Sequence, residues 1–266
     1  MQKVTVDVTD SIAVVTIANP PHGYMDDEIV GELERATRQL DARGDVKVIV
    51  LTGGLPGVFV QHYNLHELEA MCRKLMARGE SFGEHRHIPE RRIDVVFRRL
   101  EASAKPVIAA INGNAMGGGF EMALACDFRL AQDGDFMLGL PEIRVGMLPG
   151  AGGTQRLTRL VGLGKAMELL LHGKRLSPRE ALAQGMVHEV TDGPVLARAI
   201  ERARDLAALP AKSLAHVKRL AYTALERPLY DGLDLERALF VDLLASPECV
   251  EVMSALNRRN GDFRTL

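Results

Sequence analysis

The stretch KPVIAAINGNAMGGGFEMALACD, Lys105 to Asp127, decides how the chain is read. Its first part, through Ile111, is a short apolar run of the kind that fills a buried strand. The rest puts three glycines, Gly117 to Gly119, directly before an apolar, alanine-rich helical segment with one acid, Glu121. Glycines at a helix entrance permit backbone angles that other residues resist, and they let a ligand come close to the main chain. The first N–H groups of a helix have no internal acceptor, and the helix dipole adds positive character there. A negative oxygen at these glycines is therefore stabilised. Glu121, three residues past Gly118, falls on the first turn beside the same mouth. The competing reading is close packing of helix on strand. A nucleotide phosphate loop fits poorly: GxxxxGK[ST] and GxGxxG are both absent, and a second cluster, GAGGTQR (Gly150 to Arg156), also lacks the lysine.

Upstream, KVTVDVTD and SIAVVTIANP read as strands turning near Asp10-Ser11. MDDEIVGELERATRQLDAR carries acids in its first turn and apolar residues at Ile29, Val30, Leu33, Ala36 and Leu40, which is helical spacing. VKVIVLTGG reads as a buried strand closed by glycines. LHELEAMCRKLMARG and IDVVFRRLEAS read as helices on either side of the charged GEHRHIPERR. Downstream, FRLAQDGDFML reads as strand and turn, GAGGTQRLTRLVG as glycine loop then helix, and GKAMELLLHG as helix. LSPREALAQG is a helix with Ser177 as N-cap and Pro178 at its first position. MVHEVTD is a strand, and from Val195 nearly everything is helical. The expectation is an α/β core over residues 1–194, built of β-β-α or β-α units, with a helical appendage over 195–266.

A second carboxylate, Glu142, follows Pro141 in GLPEIRVGMLPGAGGT. Two carboxylates near an anion-friendly loop make an acid/base kit. Mutual repulsion and an apolar wall raise at least one pKa, and a pair that shares a site titrates together. Spacing alone does not bring Glu121 and Glu142 together, and a surface or capping acid is the competing reading of Glu142.

The 266 residues, 47% hydrophobic and 26% charged, suit a soluble globular chain with a sizeable core. A net charge of −2 gives no general pull toward nucleic acid or anionic membrane. No run reaches membrane-spanning length, and the start of the chain lacks an apolar signal core. Cys72, Cys126 and Cys249 are scattered without a CxxC; they argue against a disulfide framework or a zinc site and read as buried free thiols. A reducing, cytoplasmic compartment is the expectation.

Taken jointly, KPVIAAINGNAMGGGFEMALACDFRLA and LPEIRVGMLPGAGGTQRLTRLVGLGKAMELLLHGKRLSPREALAQGMVHEV closely resemble the enoyl-CoA hydratase/isomerase, or crotonase, superfamily. The resemblance runs from residue 4 to about residue 190 and is strongest from Lys105. It implies a crotonase-like spiral of β-β-α units with a C-terminal helical trimerisation region, assembled as a homotrimer or dimer of trimers. It implies acyl-CoA thioester substrates, with CoA as part of the substrate and no metal or redox cofactor.

In that family two backbone N–H groups hold the thioester oxygen as an enolate develops. The match assigns them to Gly118 and Tyr63. The family usually reads phenylalanine, two small residues, glycine, alanine, aspartate where this chain has Phe59 to Asn64. His62 thus replaces a glycine, at a cost if the position needs positive φ. Asn64 replaces the aspartate and can cap locally. Gly23-Tyr24-Met25 stands where Asn-Ala-Leu is common; Gly23, Tyr24 and Gln61 are expected at the CoA moiety. Tyr24 and Tyr63 suggest a tighter or more polar acyl pocket. Phe263, in the closing NGDFRTL, is the candidate for a CoA contact across a subunit boundary. Glutamates at both matched positions point to the hydratase subgroup, a lyase of fatty acid metabolism. Glu121 would activate water and Glu142 would exchange a proton at the α-carbon. Other readings are an enoyl-CoA isomerase working with one base, a retasked C–C or thioester hydrolase using His62, His66 and Tyr63, and an acyl-CoA-binding member without turnover.

Overall fold

The computed structural model describes residues 2–259 and 261–262. The chain opens with β1 (Val4–Thr9) and β2 (Ile12–Ile17), an antiparallel hairpin turning on Asp10 and Ser11, both at positive φ. In α1 (Asp27–Ala42) the Asp26 side chain caps the Ile29 N–H, and Ile29, Val30, Leu33 and Leu40 form the buried stripe. Then come β3 (Val48–Gly53), β4 (Gly57–Val60), α2 (Leu65–Ala77) and α3 (Arg92–Ala102). Next are β5 (Val107–Ile111), β6 (Gly113–Met116), α4 (Gly118–Leu124), β7 (Phe128–Gln132) and β8 (Leu138–Gly139). A short 3-10 helix (Glu142–Val145) precedes α5 (Gly153–Val161), α6 (Leu163–Leu171), β9 (Arg175–Leu176), α7 (Pro178–Ala183) and β10 (Glu189–Thr191). Four helices finish the chain: α8 (Val195–Ala207), α9 (Ala211–Thr223), α10 (Leu229–Leu244) and α11 (Pro247–Asn257).

The strands form two sheets. The larger runs β1-β2-β3-β5-β7-β10 and is parallel beyond its opening hairpin; the smaller runs β4-β6-β8-β9. Three times, in β3–β4, β5–β6 and β7–β8, the chain lays one strand in the larger sheet and the next in the smaller. Each time it then returns one place further along both. Repetition of that step winds the chain into a spiral of β-β-α units.

The apolar runs of β3 and β5 are unbroken because both of their faces are covered. One face, with Ile49, Leu51, Ala109 and Ile111, meets the core that holds Phe59, Phe97 and Phe120. Burying each such ring stabilises the fold by about 1.5–3 kcal/mol. The other face, with Val48, Val50, Ile108 and Ala110, packs on α8 through Val195, Ala199 and Ala203. Small residues four apart let that helix lie close to the sheet. Residues 195–207, expected in the helical appendage, thus cover the larger sheet, whereas α10 and α11 bury none of their residues.

All three cysteines are free. Cys126 is buried, but Cys72 is exposed, contrary to the expectation of buried thiols, because α2 buries none of its residues. Among the described residues no helix is long and apolar enough to cross a membrane.

Candidate active site

The smaller sheet delivers the glycine loop. β6 ends at Met116, and Gly117 turns the chain at φ 51° into the N-terminus of α4. A Cβ on Gly119 would stand 2.0 Å from the Val60 carbonyl oxygen, so that glycine serves close packing of helix on strand. Gly118 differs. A Cβ there would meet only Tyr63, at 3.5 Å from its Cβ and 3.7 Å from its backbone nitrogen. Among the described residues, neither the Gly118 N–H nor the Tyr63 N–H has a protein acceptor. Two unpaired donors therefore lie side by side at a helix mouth. Close packing accounts for Gly119, while Gly118 leaves an acceptor-free N–H with room in front of its Cα.

The Tyr63 amide is held from outside. Met25 bridges it in parallel fashion: its N–H donates to the His62 carbonyl at 2.8 Å, and its carbonyl accepts from Asn64 N–H at 2.7 Å. The His62 carbonyl and the Tyr63 N–H belong to one peptide group, so the bond accepted at oxygen polarises the free N–H. Gln61 N–H donates to the Gly23 carbonyl at 2.9 Å, and the Gln61 carbonyl accepts from Met116 N–H at 3.0 Å. Gly23 takes φ 71°, and a Cβ there would stand 2.6 Å from a Val58 methyl. Asn64 caps α2, accepting from His66 N–H at 3.0 Å. His62 does not take positive φ; among the described residues only Asp10 and Ser11 do so without being glycine. The histidine therefore stands in for the family's glycine without that backbone strain. Its ring stacks on Tyr24 at 4.5 Å between centroids, and Tyr24 stacks on His22 at 5.1 Å. The half-buried Tyr63 phenol lies beside Glu67; desolvation, then the nearby carboxylates, push its pKa up, so it stays neutral.

Glu121 is 3% exposed. Its Oε1 accepts from Ala151 N–H at 2.7 Å and Gly153 N–H at 2.8 Å, while Oε2 takes no protein donor among the described residues. Burial raises its pKa, and the two N–H bonds oppose but do not cancel that effect. The second glycine cluster is thus a cradle for a carboxylate. Two arginines pin it: Arg91 donates to the Gly150 carbonyl at 2.5 Å, and Arg156 to the Ala151 carbonyl at 2.7 Å. Arg156 is itself fixed by a two-bond ion pair with Glu101, at 2.6 and 2.8 Å. Sequence reasoning passed over Arg91, Glu101 and Arg156. Only Arg156, inside GAGGTQR, carried a signal in its position.

Glu142 opens the 3-10 helix and is half-buried rather than a surface acid. Its Oε2 is buried without a hydrogen-bond partner, and its Oε1 lies 3.2 Å from where a Cβ of Gly117 would stand. The carbonyl of that same Gly117 accepts the Glu121 N–H at 2.8 Å. The main chain of Glu121 thus follows the glycine that Glu142 flanks, and the Glu121 carboxylate lies near enough for its charge to act on Glu142. Burial, and then the Glu121 charge, push the Glu142 pKa up to about 7. Phe263 lies outside the described residues. Among the described residues no group of three or more His, Cys, Asp or Glu side chains could hold a metal ion. The arrangement offers two neighbouring acceptor-free N–H donors, a buried acid and a half-buried one whose pKa lies near neutrality.

Comparisons place this geometry in a family. The enoyl-CoA hydratase/isomerase family model matches residues 7–265. A probable enoyl-CoA hydratase of Bacillus subtilis is 33% identical over 99% of both chains. The Arabidopsis thaliana peroxisomal fatty acid beta-oxidation multifunctional protein AIM1 is 38% identical over 77% of this chain but only 27% of its own length. The chain thus spans about a quarter of the multifunctional relatives it matches. Among solved structures, an enoyl-CoA hydratase from Bacillus anthracis superposes with a TM-score of 0.86 at 30% identity, covering 97% of each chain. Pseudomonas aeruginosa DspI does so with a TM-score of 0.86 at 34% identity, covering 97% of this chain and 95% of that one. The chain belongs to the enoyl-CoA hydratase/isomerase family.

Proposed function

We propose that the protein is an enoyl-CoA hydratase that adds water across the 2,3-double bond of an enoyl-CoA thioester. The carrying observation is the pair of acceptor-free N–H groups, Gly118 and Tyr63, beside Glu142 at Gly117 and a Glu121 carboxylate near enough to raise the Glu142 pKa. The thioester oxygen accepts from both amides, which strengthen their hold as the oxygen becomes an enolate. Water sits between the acids. Glu121, its Oε1 already engaged by two N–H groups, takes the water proton on Oε2 as the hydroxyl attacks C3. Glu142, raised toward neutrality and so largely protonated below about pH 7, delivers a proton to C2. The protons re-equilibrate through solvent before the next turnover. Gly23, Tyr24 and Gln61 hold the CoA portion. CoA enters as part of the substrate, and no other cofactor takes part.

The same reading makes the protein a cytoplasmic homotrimer or dimer of trimers. What supports assembly is the apolar surface of the last helices, where Tyr230 is 79%, Phe240 59% and Val241 61% exposed, more than a monomer comfortably leaves to water. The test is turnover of crotonyl-CoA by wild type, Glu121→Gln and Glu142→Gln, with the product identified by mass. The expected product carries one added water, and both variants lose the activity. Unchanged turnover in both variants, or a shifted double bond with no added mass, refutes the assignment.

A further inference from the structure

The imidazole of His62 is bound to the peptide that follows the donor amide. Its Nδ1 lies 2.8 Å from the Tyr63 carbonyl oxygen. A carbonyl only accepts, so Nδ1 carries the hydrogen, and this contact fixes the tautomer. The ring's other side is held in the stack with Tyr24 and, beyond it, His22. The His62 Cβ also comes within 3.7 Å of the Cβ position of Gly117, whose other flank is Glu142 Oε1. One side chain thus bonds to the strand end that presents the Tyr63 N–H and lies beside the glycine loop that presents the Gly118 N–H.

The consequence for the amide is geometric. Tyr63 N–H lies in the peptide plane before the Tyr63 Cα, and the plane after that Cα sets the other side of the same hinge. Met25 holds the plane before that Cα through the His62 carbonyl. The plane after it is held at its nitrogen by the Met25 carbonyl and at its oxygen by the His62 ring. A glycine at residue 62 could offer no bond of that second kind. The loop here gives up a small residue, gains a large side chain at Tyr63, and acquires a side-chain brace one residue away.

We propose that His62 is a positioning residue of the oxyanion site, acting through the Nδ1–H bond that orients the Tyr63 amide rather than by proton transfer. This deepens the hydratase reading and rests on it for the identity of the ligand. Three variants separate the brace from the ring. His62→Asn keeps an N–H near the position of Nδ1. His62→Phe keeps a ring for the stack but removes the donor, and His62→Ala removes both.

Each variant is checked for folding by circular dichroism. It is assayed for kcat and KM on crotonyl-CoA, and titrated with butyryl-CoA and with acetoacetyl-CoA. The bound enolate of acetoacetyl-CoA shows an ultraviolet band that reports directly on the strength of the oxyanion site. Expected are kcat losses of about 10- to 100-fold in His62→Phe and His62→Ala, the order of a small misplacement of one donor. KM and butyryl-CoA affinity stay within about threefold, the enolate band weakens, and His62→Asn recovers most of the loss, because only charge-developing states depend on the amide's aim.

The inference is overturned if His62→Phe keeps kcat and enolate band within about threefold of wild type. It is also overturned if butyryl-CoA affinity falls as far as the enolate signal, which marks a packing role. Should His62→Phe not fold, His62→Ala against His62→Asn gives the same contrast. A wild type that binds acetoacetyl-CoA as an enolate but hydrates nothing removes the hydratase reading and leaves the brace standing. A wild type that binds neither thioester removes both.

Discussion

Replacing Glu142 by glutamine reports on the electrostatics of the site through stability. In the folded protein burial, and then the Glu121 charge, lift Glu142 from the ordinary glutamate value of 4.5 to about 7. Such a rise corresponds to about 3.4 kcal/mol of differential interaction between the two protonation states. Because water reaches part of the half-buried side chain, about half of that, roughly 1.5–2 kcal/mol, is the working figure.

The sign follows from proton binding. Between pH 4.5 and 7 the folded state holds the Glu142 proton while the unfolded chain has released it, so wild-type stability falls as pH rises through this window and levels off above it. Glutamine does not titrate. The stability of Glu142→Gln minus that of wild type should therefore rise by about 1.5–2 kcal/mol from pH 4.5 to 8. Urea unfolding at matched protein concentration, across that pH range, measures the difference directly. A flat difference, or one that falls with pH, refutes a desolvated acid at this position. In a Glu121→Gln background the midpoint should move down, since the neighbouring charge that helps hold it up is gone.

The same proton governs rate: kcat for hydration should fall as pH rises through about 7, and kcat for dehydration should rise over the same window, as pH–rate profiles in both directions would show. Gly118→Ala should fold with an unchanged melting temperature, because its Cβ meets nothing closer than 3.5 Å, yet lose activity by about 10²–10³ as the methyl enters the anion site. Gly119→Ala is the contrast: a Cβ 2.0 Å from the Val60 carbonyl oxygen should cost about 3 kcal/mol or more, read as lost soluble yield or a lowered melting temperature. Glu101→Gln breaks a pair whose side chains are 19% and 23% exposed, so it should cost about 2 kcal/mol, below the cost of breaking a fully buried pair. It should also lower kcat more than it raises KM, because Arg156 no longer steadies the loop that holds Glu121; denaturation and steady-state kinetics check the two halves.

Where the chain announces itself, local chemistry suffices. Asp10-Ser11 turns the first hairpin, Ser177 and Pro178 start α7, and the apolar runs of β3 and β5 are strands buried on both faces. The smaller sheet was far less legible. β8 and β9 have two residues each, too short for any period, and β6 reads as glycine loop because Gly113 and Gly117 bracket it. The helical reading from Val195 onward covered α8 but not its place against the sheet, since the alanines that let it pack closely look neutral in a sequence. At the site, the two acids and the glycine mouth were visible as types. Their approach was not, because it depends on the 3-10 turn after Pro141 and on a glycine cradle pinned by Arg91 and Arg156. The caution over His62 assumed positive φ. The extra bond from its ring was not foreseeable, because it depends on a rotamer and on the stack with Tyr24.

The most direct measurement is incubation of crotonyl-CoA with the protein in ¹⁸O-labelled water, with fragment masses locating the label, for wild type and Glu121→Gln. The expected product is an intact 3-hydroxyacyl thioester with one ¹⁸O at C3, formed at least about 10³-fold more slowly by the variant. Label in a released carboxylic acid, a migrated double bond without label, or equal labelling by Glu121→Gln would contradict the hydratase reading.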